Sequence, residues 1–142
     1  MSDAQNQSAA RFRAAHAPGN LLLLPNAWDV ASARIAEDCG AKAIATSSAA
    51  VAWAHGYPDG EASPKRVLLA LVAEIVRVVN VPVSADSEAG FSSDPSESAS
   101  FVTTLARAGV VGINLEDGTS PPALLAAKIE AIKKACACEH LA

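Results

Sequence analysis

The sequence predicts an α/β protein built on a parallel sheet, and three observations predict it. Four short apolar runs alternate with four segments whose apolar residues recur at helical spacing. Each run ends in polar residues, as strands of such sheets do where they carry a site. Two stretches, "CGAKAIATSS" and "AGVVGINLED", repeat one pattern, passing from a helix-ending glycine into an apolar strand that finishes polar. Strand–helix alternation of this kind is the signature of βαβ units.

The first run, "NLLLLPNAWD", places four leucines before a Pro-Asn-Ala turn and is expected to be a strand buried on both faces. "VASARIAEDCG" follows as a helix, with Val30, Ala33 and Ile35 or Ala36 on its stripe and Gly40 as its stop. "AKAIATSS" is the second strand. "AAVAWAHGYPDGEA" is expected to be loop, because Gly, Pro and Asp crowd its second half.

Ser63 is the expected cap of the next helix, with Pro64 in its first turn and Val67, Leu68, Leu71 and Ile75 along one stripe ending near Asn80. "VPVSAD" is strand three. Asp94, Pro95 and Glu97 then supply a cap, a first-turn proline and a capping-box acid for a helix through Phe101 and Leu105 to Gly109. "VVGINLED" is strand four, and Ser120-Pro121 opens a last helix with Leu125, Ile129 and Ile132 on its apolar side.

The totals bound the function. The chain has 142 residues, 51% hydrophobic and 18% charged, with a net charge of −4 and no block of Lys or Arg. That composition suits one globular domain over residues 1–142, with 1–20 as an N-terminal arm or helix and 135–142 as a tail. It argues against a nucleic-acid partner. No apolar run approaches the ~20 residues that span a bilayer, and the polar N-terminus lacks a secretory signal's apolar centre, so no membrane partner and a cytoplasmic location are expected. Cys39, Cys136 and Cys138 are expected as reduced thiols, since "CAC" is not a C-x-x-C spacing.

The strands end, in order, at Asn26 and Asp29; at Thr46, Ser47 and Ser48; at Asp86 and Glu88; and at Asn114, Glu116 and Asp117. Asp86 and Glu88 stand two apart in "VPVSADSEAGF", which on an extended strand turns both to one side. Crowded carboxylates repel one another unless a cation neutralises them. Hard oxygen donors suit Mg²⁺ or Mn²⁺. A divalent metal site and a solvated acidic rim are both compatible with the spacing. Asp29 has the further reading of a helix cap. Trp28 and Trp53 are expected as wall or core aromatics, His55 as a solvated loop residue and His16 as a helix-packing one.

Together, "LPNAWDVASARIAEDCGAKAIATSSAAVAWAHGYPDGE", "VPVSADSEAGF" and "GINLEDG" resemble the isocitrate lyase/phosphoenolpyruvate mutase superfamily, from about Phe12 to Asp117. The similarity is greatest to its phosphonomutase-like branch. The resemblance implies a (β/α)8 TIM barrel, of which this chain holds about four βα units, and a homo-oligomeric assembly. It also implies a Mg²⁺ (or Mn²⁺) site that holds a small α-keto acid or phosphonate, and chemistry on a C–C or P–C bond beside the carbonyl. Carried over by position, Asp86, Glu88 and Glu116 fall on the metal-holding acids. Ser47, Ser48 and Asp86 fall on substrate contacts, and Asp59 and Glu116 on catalytic acids.

The chain departs from the family pattern in length. A (β/α)8 barrel takes about 250 residues. The barrel's later strands, with the substrate-gripping arginine they carry in relatives, are not in this sequence, and neither is the "KKCGH" signature. The stretch after "LED" also lacks the Lys and Asn of the phosphonomutase gating loop, which favours C–C over P–C chemistry. The expectation is a truncated product of a longer gene, or a half-barrel completed by a second copy or second polypeptide. The alternative function is an inactive half-barrel retaining a metal or anion site. An unrelated doubly wound binding domain is the third reading.

Overall fold

Short β-favouring runs set the sheet, and the computed structural model describes it over residues 3–136. The order is α1 (Asp3–Ala15), β1 (Asn26–Ala27), α2 (Val30–Asp38), β2 (Ile44–Thr46), α3 (Ser48–Ala54), α4 (Lys65–Val78), β3 (Val83–Asp86), α5 (Pro95–Arg107), β4 (Gly112–Asn114) and α6 (Pro122–Cys136). All pairings are parallel, and the strands lie in chain order β1-β2-β3-β4. Residues 3–136 thus form a four-strand segment of a βα barrel, with β1 and β4 at its edges. Cys138 and His140 lie outside the described residues.

The helices touch in sequence, α2 on α4, α4 on α5 and α5 on α6, so they form one layer against the sheet. One core joins Ala33, Leu71 and Ile75 to Ala27, Ile44 and Val83. A second joins Leu68, Val72, Phe101 and Leu105 to Ala85 and Val110. A third sets Ile132 and Cys136 of α6 against Ala99 and Val102 of α5. Phe12 of α1 packs with Ala43 and Val111 at the amino ends of β2 and β4. There Gly112 lets the ring sit close: a Cβ would lie 2.4 Å from the Phe12 ring, which would have to move.

Several elements differ from expectation. The leucine run is not a two-faced strand. Leu21 and Leu23 are 87% and 74% exposed while Leu22 and Leu24 pack inward against the α1 core, so the run alternates like an edge segment, and pairing begins only at Asn26. The segment after Ser47 is helical, because the Ser47 side chain accepts from the Ala50 N–H and the residues after it favour helix. Pro64, not Ser63, caps α4, with no side-chain bond.

Asp94 caps α5 through the Ser96 N–H, but Glu97 accepts from Ser92 Oγ instead of closing a capping box. Trp28 and Trp53 are 46% and 67% exposed, against the expectation of core or wall aromatics. Asp29 begins α2: it accepts from the Ser32 N–H at 2.6 Å, and those bonds to Ser32 hold its carboxyl below the usual range. Cys39 is a free, exposed thiol. Among the described residues no helix is long and apolar enough to cross a membrane.

Leu105 is fully buried in the α4–α5 core. Leu105→Ala is expected to cost about 2–5 kcal/mol of unfolding free energy, read as a lower urea midpoint at an unchanged slope.

Candidate active site

The acids gather where β2 and β3 end. Asp86 closes β3, and its backbone N–H donates to Thr46 Oγ1 of β2 at 2.9 Å. Its side chain accepts three bonds. Ser48 donates to Oδ2 from its N–H at 2.9 Å and from its hydroxyl at 2.7 Å, and the Glu88 N–H donates to Oδ1 at 3.2 Å. Ser48 opens α3, so the first turn of that helix, with its exposed N–H groups, faces the carboxylate.

Glu88 does not reach this cluster by strand alternation. β3 stops at Asp86, and Glu88 has a left-handed backbone at φ +48°. The turn is held at every step. Ser87 donates to Asn114 O from its N–H at 3.0 Å and its hydroxyl at 2.6 Å, Gly90 donates to Ser87 O at 2.8 Å, and Glu116 donates to Glu88 O at 2.9 Å. Gly90, at φ +90°, could carry no side chain, since a Cβ would lie 2.9 Å from Ser98 Oγ.

Glu88 is 4% exposed. Burial pushes its carboxyl above the ordinary range, the Glu61 N–H bonded to Oε2 opposes that, and the charges of Glu61, Asp59 and Asp86 push it further up. Four acids therefore share one field. Glu61 was not expected from the sequence. Its backbone is left-handed at φ +61°, and its side chain accepts from the Phe91 N–H, so it pins the 59–61 segment to the turn on both sides. The signal was there in "DGE", an acid two residues beyond Asp59.

The other expected site residues fall at varying distance from this centre. Asp59 is exposed, with its carboxylate on the Gly60 N–H, and enters through its charge on Glu88. Glu116 is tied to the turn by its backbone, while its side chain is exposed. Ser47 spends an oxygen lone pair on capping α3. His55 is exposed and ends α3, with Nδ1 on Val51 O. His16 packs edge-on against Phe12.

The donor set fits a hard divalent cation in its chemistry, being carboxylate oxygen throughout. Among the described residues no three His, Cys, Asp or Glu side chains converge as a ready-made metal cage. Mg²⁺ does not ask for one: it takes one or two carboxylates and fills its octahedron with water and substrate oxygen. The buried Glu88 beside Asp86 supplies such a pair, and a cation would offset the burial and, secondarily, the neighbouring negative charges that raise Glu88.

Comparison with known proteins matches this arrangement to a family. Residues 12–142 match the phosphoenolpyruvate phosphomutase family, past the Asp117 at which the motif resemblance ends. An uncharacterized protein of Mycobacterium tuberculosis is 40% identical over 87% of this chain and 48% of its own length. The 2-methylisocitrate lyase of Salmonella typhimurium is 33% identical over 75% of this chain and 36% of its own. A crystal structure from Burkholderia cenocepacia J2315 superposes with a TM-score of 0.90 at 37% identity, covering 96% of this chain and 57% of that one. Phosphonopyruvate hydrolase, crystallised with oxalate and Mg²⁺, shares the fold at a TM-score of 0.80 and 23% identity, covering 95% of this chain and 48% of its own. The chain spans between a third and a half of the length of the curated relatives it matches. With its parallel βα units and strand-end acids, it belongs to the phosphoenolpyruvate phosphomutase family of the isocitrate lyase/phosphoenolpyruvate mutase superfamily.

Proposed function

We propose that this chain carries the metal corner of a Mg²⁺-dependent lyase or mutase that cleaves or forms a C–C (or P–C) bond beside the carbonyl of a small α-keto acid. The observation that carries the reading is Glu88, a buried carboxylate that burial and neighbouring acids hold above its ordinary range. Asp86 and Glu88 are the residues that would hold the ion. When bound, the ion supplies a positive charge against which negative charge on a substrate keto oxygen is stabilised.

The chain's own side chains have distinct tasks. The Ser48 hydroxyl gives its proton to Asp86, so it orients that carboxylate and has none left for a substrate carboxylate. The Ser47 hydroxyl accepts from Ala50 and keeps its proton, which makes Ser47 the serine able to donate to an anionic substrate. Asp59 and Glu116, both exposed at the rim, are assigned to proton transfer and to the water shell. Curated relatives named 2-methylisocitrate lyase support C–C chemistry, and the phosphomutase family and phosphonopyruvate hydrolase keep P–C chemistry beside it.

A second reading is favoured by the sheet edges. Leu21 and Leu23 lie exposed just before edge strand β1, as in a half-barrel that associates with a second chain or copy. On this reading the chain alone is inactive or acts as a subunit. Light scattering on the purified chain is expected to show a homo-oligomer, and a strictly monomeric mass counts against it.

Two further outcomes test the leading reading. Mg²⁺ is expected to raise the melting temperature of the wild type and not of Glu88→Gln, and equal shifts in both overturn the assignment. Turnover of oxaloacetate, 2-methylisocitrate or phosphonopyruvate is expected to need Mg²⁺, and activity unaffected by chelator overturns it.

The metal-free protein also has a signed pH dependence. The folded carboxyl of Glu88 binds its proton more tightly than the unfolded one, whose ordinary value is 4.5. Its favourable contribution is therefore complete below 4.5 and is lost as pH rises through the raised folded value. Glu88→Gln, which keeps an acceptor for the Glu61 N–H, should stabilise the metal-free protein at pH 7 and lose that advantage toward pH 4.5 in paired melts.

A further inference from the structure

Helix α6 buries three side chains, Lys128, Ile132 and Cys136, spaced four apart on one stripe. Ile132 and Cys136 pack against α5 as such positions should. Lys128 is only 3% exposed in a place where a helix stripe calls for an apolar residue. Burying a lysine forfeits the hydration of a strongly solvated charge and restricts a long, mobile stem. Something must draw the charge there.

A carboxylate partner does not. Lys128 takes no part in the ion pairs of Arg34 with Glu37 and Asp38 or of Arg77 with Glu74. Lys128 instead donates from Nζ to the backbone carbonyl of Ala89 at 2.6 Å, across 39 residues of chain. Ala89 lies between the left-handed Glu88 and Gly90. The two carbonyls before it are engaged by backbone groups, Ser87 O by Gly90 N and Glu88 O by Glu116 N. Ala89 O is the acceptor that the ammonium takes.

We propose that Lys128 is a positioning residue of the acidic site: its buried ammonium fixes the Glu88–Gly90 turn and thereby holds the Asp86–Glu88 carboxylate pair in its cation-binding arrangement. The bond restrains rotation of the Ala89–Gly90 peptide, which leads into the left-handed Gly90 and follows the left-handed Glu88. Lys128 supports the site from behind the turn. The inference rests on the metal reading above.

The test uses Mn²⁺ as a spectroscopic probe, with amide exchange as an independent readout. Lys128→Met is expected to fold, to bind Mn²⁺ about tenfold or more weakly than wild type, and to lose exchange protection at the Gly90 and Glu116 amides while α4 stays protected. Lys128→Arg, which keeps charge and donor, is expected to recover most of the affinity. A folded Lys128→Met with wild-type Mn²⁺ affinity and wild-type protection at those amides overturns the proposal. If Lys128→Met does not fold, the neutral donor variant Lys128→Gln is read by the same two outcomes. Failure of the wild type to bind Mn²⁺ overturns the metal reading instead, and the exchange result then decides on Lys128 alone.

Discussion

The contact on which the site depends is the pairing of Asp86 with Ser48. Two donors from one residue at the head of α3 meet one oxygen of Asp86, and the Glu88 N–H meets the other. Charge-assisted bonds of this kind are stronger than neutral ones and more demanding in direction. This one ties the end of β3 to the end of β2 through α3, where the Thr46 hydroxyl already bonds the Asp86 backbone. The carboxylate therefore presents its remaining lone pairs from a rigid mount, as a metal or substrate site requires.

Around that mount the molecule tolerates arrangements that would otherwise be unfavourable. Glu61, Glu88 and Phe91 all adopt positive φ without being glycine, and such residues persist only where their surroundings over-determine them. Here the surroundings are the bonds from Glu61 to Glu88, from Phe91 to Glu61 and from Glu116 to Glu88. Three left-handed residues within two short segments mark the place where the fold gives up local ease for a particular arrangement of carboxylates.

Much of this was legible in the sequence, for reasons that differ by residue. The strands β2, β3 and β4 and the helices α2, α4, α5 and α6 follow from apolar periodicity and caps, except that α6 buries Lys128, Ile132 and Cys136 and leaves Ile129 39% exposed. Asp86 and Ser48 lie where the strand ends put them. The leucine run misled because a continuous apolar string does not reveal that its alternate members face solvent at a sheet edge. α3 was hidden because the Gly and Pro after it outweighed one serine cap. Glu61 and Lys128 escaped because each acts through a backbone group far along the chain, a partnership that periodicity does not encode. The alternation argument also brought Asp86 and Glu88 together for the wrong reason, since a left-handed turn, not an extended strand, joins them.

The contact between Phe12 and Gly112 gives the strand segment two unlike ends. Helix α1 lays its ring on the amino ends of the strands so closely that Gly112 has no room for a methyl group. That end of the strand segment is stoppered by an aromatic ring, while the acids occupy the other end. Helix α1 thus makes the amino end of the segment a packed, structural end and leaves the carboxyl end to the polar groups.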